Sequence, residues 1–416
     1  MPTLSRRTLL AGGAAALSSG CYRLARPPPL EGPLSRDART LINTAWAGLD
    51  SNLVLDTHVH VVGLGTGGTG CWVNPSLQAP ATHPINALRF DIYKQAAGVT
   101  DETIGDQQYV ETLLSRMRRQ LIHGRALILA FDQTYTEDGT PRPELTEFYT
   151  PNEYVVRLAR ENPDCFVACA SIHPYRKDAV EALERAVDGG AVAVKWLPNA
   201  MYIDPSSPRC DAFYEALARL RVPLLTHAGE EKAVEAEEAQ RFGNPLHLRR
   251  PLDAGVTVIV AHCASLGQNP DLDAPEVDGQ RPWVDNFELF SRLMDEPKYA
   301  GRLYGEVSAM LQANRVGRPL STVLTRTDWH SRLLNGSDYP LPAITVLVQT
   351  RVLKDQGFLT SAQRDALNEL DAHNPLLFDF VSKRTVAVRD RNGVHRLPLE
   401  VFTGRPEVFP RLKPPP

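Results

Sequence analysis

A (β/α)8 TIM barrel is the fold class this sequence predicts, and three observations predict it. Eight short apolar runs of strand composition recur at residues 53–56, 126–131, 166–172, 191–196, 223–227, 257–262, 303–307 and 333–338. Each run is nearly continuous in apolar residues, as parallel strands covered on both faces are, where an open antiparallel sheet would alternate. The ends of the fourth, fifth and sixth runs, at Lys195, His227 and His262, lie 32 and 35 residues apart, room for one helix and two loops per unit.

Taken in order, the chain opens on Ser5-Arg6-Arg7-Thr8-Leu9-Leu10, ahead of an apolar run over 9–17 that is too short to span a bilayer. This order resembles the bacterial twin-arginine export signal, and Ser19-Gly20-Cys21 resembles a lipoprotein processing site. The resemblance implies an exported, periplasmic protein whose only membrane contact is a lipid on Cys21. Residues 1–21 are therefore read as signal and 22–51 as a Pro-rich tether followed by a helix at 38–47. The barrel is assigned to 52–382. Its first connection covers 70 residues from Asp56 to Ala126, carries a Gly-rich stretch at 63–70 and a helix at 106–123, and is expected to fold over the mouth as a lid. Helices at 151–161, 178–187, 210–220 and 231–241 separate later strands. Residues 267–283, rich in Pro, Asp and Gly, read as an irregular loop, and a helix begins within 361–369. Asn392-Gly393 between apolar residues marks a hairpin within 385–397, so 383–416 forms a small C-terminal β-hairpin extension and tail.

Composition narrows the function. Of 416 residues, 43% are hydrophobic and 23% charged, which places the chain among folded globular proteins. The net charge of −4, without a basic stripe, excludes a nucleic-acid partner and leaves a small-molecule substrate. With Cys21 acylated, Cys71, Cys165, Cys169, Cys210 and Cys263 remain, an odd number without metal-finger spacing, so no disulfide framework is expected. Cys165 and Cys169, four apart in a strand, are expected to share a buried face. Gly65-x-Gly67-x-x-Gly70 matches a dinucleotide fingerprint in form, but Cys71-Trp72-Val73-Asn74-Pro75 follows, where no helix begins; the segment reads as a mobile loop. Asn335-Gly336-Ser337 is a sequon in form only, and no Gly-x-Ser-x-Gly elbow occurs.

Catalytic residues of such barrels come from the C-terminal ends of the strands. Strand one ends in Asp56-Thr57-His58-Val59-His60, whose two histidines, two apart, point to one side of an extended chain. Strand four ends in Lys195, strand five in His227, strand six in His262 and strand eight in Asp338. Imidazoles with a carboxylate suit Zn²⁺, and also Mn²⁺ or Fe²⁺. A protonated lysine has no place beside a cation, but its amine can capture CO2, and the resulting carbamate is an anionic ligand able to bridge two ions. Otherwise Lys195 is a cation that binds a substrate carboxylate.

These residues resemble the amidohydrolase superfamily of metal-dependent hydrolases: Asp56-Thr57-His58-Val59-His60 is similar to its strand-one His-x-His motif, and Asn335-Gly336-Ser337-Asp338-Tyr339-Pro340 to the Gly-Ser-Asp-x-Pro ending of its amidohydrolase-related branch. The resemblance runs from about 52 to 382. It implies that His58, His60 and Asp338 hold the more buried metal, His227 and His262 the more exposed one, and a carboxylated Lys195 bridges them. Asp338 would then also be the catalytic proton acceptor, and two zinc ions the cofactor, in a hydrolase acting on an amide, ester, lactone or phosphoester. The alternative is a decarboxylase or lyase for an aromatic or unsaturated acid, with one ion and an uncarboxylated Lys195. Asp56 or Thr57 would orient a ligand. His173, Trp196, Asn199, Tyr202, Glu306 and Tyr339 would line the pocket, with His173, Trp196, Asn199, Tyr202 and Tyr339 contacting substrate.

Overall fold

The computed structural model describes residues 32–119, 124–233 and 237–415. The export signal, Cys21, most of the tether, the end of the helix expected at 106–123 and part of that expected at 231–241 lie outside the described residues. All eight apolar runs form barrel strands: β1 (Leu55–His60), β2 (Arg125–Leu129), β3 (Phe166–Ala170), β4 (Ala193–Trp196), β5 (Leu224–His227), β6 (Val258–Ala261), β7 (Leu303–Glu306) and β8 (Leu333–Leu334). They pair in parallel and in chain order. The ring closes where the segment after β8 meets β1, through Thr57 N to Asn335 O (2.9 Å), Asp338 N to His58 O (2.7 Å) and His60 N to Tyr339 O (3.0 Å).

Alternation along the strands divides the core in two. Leu127, Leu129, Val167, Cys169, Leu225 and Ile259 fill the barrel interior, while the intervening side chains pack outward under the helices. Cys165 does not share the face of Cys169: it precedes β3 and packs in the outer layer. All five described cysteines are buried and unbridged. The tail goes beyond what the sequence suggested. Val408 and Phe409 insert below the interior layer, and Gly404 N bonds Leu53 O (2.7 Å), so the chain end closes the barrel opposite its mouth.

The outer helices include α1 (Arg36–Trp46), α2 (Pro84–Ala97), α3 (Gly105–Arg118), α4 (Asn152–Glu161), α5 (Ala179–Asp188) and α6 (Asp211–Leu220). In α1, Ser35 caps the Ala38 amide, and the spacing of Ala38, Ile42, Ala45 and Trp46 buries one face, with Trp46 stacked on Phe380 at 4.2 Å. No helix among the described residues is long and apolar enough to cross a membrane.

Three segments depart from expectation. The helix expected at 231–241 is instead a 3-10 stretch, Glu237–Gly243. Gln240 accepts from Glu231 N and donates to Glu231 O, both at 2.9 Å, so its side chain takes the carbonyl that a helix would have used. The loop at 267–283 contributes a short antiparallel ribbon, Gln268–Pro270 with Trp283–Asp285. The Gly-rich stretch after β1 is pinned rather than loose: the buried Asp106 carboxylate accepts from Leu64 N (2.5 Å), Gly65 N (3.1 Å) and the Thr69 hydroxyl. The hairpin near the C-terminus pairs Val388–Asp390 with Gly393–His395, as the Asn392-Gly393 signal implied.

Candidate metal centre and active site

Parallel strands deliver their last inward side chains to one mouth, and here the six polar strand-end residues meet. His58, His60, Lys195, His227, His262 and Asp338 all line a cavity of about 490 Å³. The connection after β1 supplies much of its wall, through residues from Val61 to Tyr109, so it does cover the mouth. Tyr93 of α2 reaches across to donate a hydrogen bond to the Ala233 carbonyl after β5 (3.0 Å).

At the floor, the His60 Nε2 atom lies 3.2 Å from His58 Nε2 and 3.2 Å from Asp338 Oδ1; His58 Nε2 is 3.5 Å from Asp338 Oδ1 and His262 Nε2 3.8 Å from Oδ2. One ligating atom each from His58, His262 and Asp338 falls within 4.8 Å of the other two. Two of these residues, His262 (φ 55°) and Asp338 (φ 60°), sit in the left-handed backbone region, a strain of about 1–3 kcal/mol each that aims their side chains inward as the chain leaves the strand.

Partners behind the imidazoles determine what they present. His58 Nδ1 lies 3.0 Å from Glu306 Oε2, so it carries the proton and donates to that carboxylate. Ser308 donates its hydroxyl to Glu306 (2.6 Å) and accepts from His262 Nδ1 (2.7 Å). Both Nε2 atoms therefore turn lone pairs towards Asp338. Burial holds the pKa values of His58 and His262 well below 6.5, so the rings are neutral. Burial raises the Asp338 pKa, but contacts at the floor, the hydrogen bond from the His60 ring among them, hold the carboxyl well below its ordinary range. The His58 and His262 lone pairs converging on an ionised carboxylate form a donor set that fits a divalent cation. His227 adds to the fit: its Nδ1 faces Glu231 (3.4 Å), while its buried Nε2 has no partner among the described residues.

A buried network fixes this floor from behind. Asp56 Oδ1 accepts from the amides of His58 (3.1 Å) and Ser337 (2.8 Å), and Thr57 donates to Asn335 O (2.8 Å), tying the β1 and β8 ends together. Lys383 bridges Asp379 (2.6 Å) and the Gly336 carbonyl. Burial pushes the carboxyls of Asp56 and Glu306 up to about 6 and that of Asp379 up to about 7, with Lys383 opposing the rise in each.

Lys195 is 2% exposed, and burial lowers its pKa. Arg315, in the loop after β7, was not singled out from the sequence, where nothing distinguishes it from other loop arginines. It is buried at the cavity, donates to Ser265 Oγ (3.0 Å) and has an unpartnered Nε. Neither cation has a carboxylate within ion-pair distance among the described residues.

The residues expected to contact substrate lie elsewhere. His173, Trp196, Asn199, Tyr202 and Tyr339 are all absent from the cavity wall. Alternation turns Trp196 outward from Lys195, where its Nε1 donates to Ile172 O (2.8 Å). Asn199 ties to Gly229 O (3.2 Å), Tyr202 ends a short helix in the left-handed region, and the Tyr339 hydroxyl accepts from Arg116 (2.8 Å). Glu306 stands behind His58 rather than on the wall. His173 is fully buried, donating from Nε2 to Met201 O (2.8 Å) and accepting from Tyr175 N (3.2 Å).

Burial lowers the His173 pKa from 6.5 to about 3. The unfolded chain therefore binds this proton between those values and the folded chain does not. Its contribution to stability is complete above pH 6.5 and is lost as the pH falls towards 3. Urea midpoints measured from pH 7 to 4 should fall less steeply for His173→Gln than for the native chain; equal slopes would remove His173 from this acid sensitivity.

A protein-family model described as amidohydrolase matches residues 56–370. No curated protein matches the chain by sequence. Among solved structures, an uncharacterized TIM-barrel protein from Bordetella bronchiseptica is similar at TM-score 0.47 and 15% identity, over 78% of this chain and 99% of that one. A 2,6-dihydroxybenzoate decarboxylase from Rhizobium gives TM-score 0.40 and 13% identity, over 78% and 98%. A 5-carboxyvanillate decarboxylase from Novosphingobium aromaticivorans, complexed with manganese, gives 0.42 and 12%, over 76% and 92%.

Proposed function

The chain belongs to the amidohydrolase family, and from that premise we propose that it is a metal-dependent hydrolase attacking an amide, ester, lactone or phosphoester bond with water. The observation that carries this reading is the meeting of His58, His60 and His262 nitrogens around the ionised Asp338 at the cavity floor. Divalent ions held there, zinc in the first instance, supply the Lewis acidity that acidifies water and polarises the oxygen of the scissile group. His58, His60 and Asp338 would hold one ion and His227 and His262 a second, with the Lys195 carbamate between them. Asp338, anionic and facing the cavity, accepts the proton of the attacking water and returns it to the leaving group. Glu306 and Ser308 keep the His58 and His262 lone pairs aimed inward. A buried amine with a lowered pKa is unprotonated more often, which favours its capture of CO2.

A second reading, a one-ion decarboxylase or lyase for an aromatic or unsaturated acid, is favoured by the two buried cations Lys195 and Arg315, which would pair with a substrate carboxylate. Metal stoichiometry of Lys195 variants separates the two. On the two-ion reading, Lys195→Ala loses at least one ion per chain and most activity, a short added carboxylic acid restores part of both, and Lys195→Arg is not rescued by its charge. Near-normal metal content and rate in Lys195→Arg would overturn the bridge and leave the acid-binding reading.

A further inference from the structure

We propose that the reacting group of the substrate is carried on an alkyl or acyl chain, and that the outer cavity wall between α2 and the segment after β8 is the seat of that chain. The inference rests on the cavity floor being the reacting end. Helix α2 is apolar on two sides. Ala87, Phe90 and Ala97 face the core, and at about 100° per residue Ile85, Leu88 and Ile92 stand on the opposite side. Packing of the barrel uses the first set. The second set lines the cavity beside Phe90 and Ala97, and Ile85 is 74% and Leu88 46% exposed. Large apolar side chains left open on a helix face point to a ligand when they continue the wall of a catalytic cavity.

Across the cavity, the chain after β8 presents Ile344, Val346 and Leu347; Ile92 packs with Ile344 and Leu347 in a small cluster separate from the main core, and Val346 is 48% exposed at the rim. Most polar groups on this wall are already committed. Arg89 pairs with Glu147 (2.7 Å), Lys94 with Asp91 (2.8 Å) and Glu102, and the Tyr93 hydroxyl with Ala233 O. Apart from the Arg89 Nε, none of these groups is left open to a phosphate, sugar or charged tail. Among the described cavity residues, the buried polar atoms without partners are His227 Nε2 and Arg315 Nε on the floor side and Arg89 Nε on this wall. Polarity thus runs from a charged floor to an apolar, open rim, the gradient of an amphiphile with its head inward and its chain reaching solvent between Ile85, Leu88 and Val346.

The test is calorimetric titration of the zinc-loaded full chain with alkyl hydroxamates of two, six and ten carbons, whose heads chelate metal, alongside butyrate and decanoate, whose heads do not depend on zinc. Affinity should rise up to about fourfold per added methylene while the chain is being buried, in both series. Ile85→Asp and Leu88→Asp, changes at exposed positions, should remove most of that gain, whereas Val394→Asp on the distant hairpin should keep it. Equal affinity across chain lengths, or a gain untouched by the α2 variants, would overturn the proposal. So would binding of the native chain to phosphatidylcholine vesicles, lost in the α2 variants, with no chain-length dependence for monomers, which would make the rim a membrane contact. Failure of hydroxamates of every length, with decanoate still favoured over butyrate, would count against the metal reading and leave the chain seat standing.

Discussion

Asp338→Asn is expected to lower kcat/KM by about three orders of magnitude, within the 10²–10⁴ range of a lost general base, while the barrel stays folded. The carboxylate, ringed by three imidazoles, is held ionised against the trend of its burial. An amide of the same shape cannot take a proton at neutral pH and offers a cation a weaker oxygen. Asparagine is the informative replacement because Asp338 sits at φ 60°, a conformation that Asn adopts readily and most other residues do not. A loss of activity then reports chemistry and not a broken turn. The comparison is made on whichever ester, lactone or amide the native protein hydrolyses, with circular dichroism as the control for folding. Retention of more than a tenth of the native rate would remove Asp338 from the proton path.

Gly336→Ala should damage the same centre without replacing a ligand. A Cβ at this position would stand 2.5 Å from Glu306 Oε1 and 2.7 Å from the His58 Cβ. Both neighbours are fully buried, and Glu306 already holds His58 and Ser308. Neither can move without releasing the His58 ring. Zinc affinity should fall about 10- to 100-fold, the usual effect of losing a partner behind a metal ligand. Overpacking should cost about 1–3 kcal/mol of stability. Zinc titration and thermal unfolding of the variant check both, and unchanged zinc affinity would show that Glu306 does not orient His58.

Much of this architecture was readable from the chain because two independent patterns coincide. Apolar runs at βα spacing locate the strands, and the polar residue ending a run must face the mouth. That logic brought His58, His60, Lys195, His227, His262 and Asp338 to one cavity. It failed one residue further on: Trp196 follows Lys195 and alternation turns it outward, while His173, Asn199 and Tyr339 spend hydrogen bonds on the packing around the barrel and Tyr202 ends a short helix. Arg315 was missed because its place depends on how the loop after β7 folds, which no local periodicity encodes. The stretch at 231–241 has helical composition, but Gln240 bonds the Glu231 backbone and the chain follows that contact. Insertion of Val408 and Phe409 beneath the barrel is likewise a long-range contact, with no local signal in the tail.

The central claim is that the strand-end histidines and Asp338 form a metal centre, and zinc titration of the metal-free chain beside His58→Ala tests it most directly. The account predicts one or two tight ions per native chain, and loss of at least one in a variant whose circular dichroism is unchanged. A native chain that binds no zinc, manganese or iron, or a His58→Ala variant that binds as the native chain does, would contradict it.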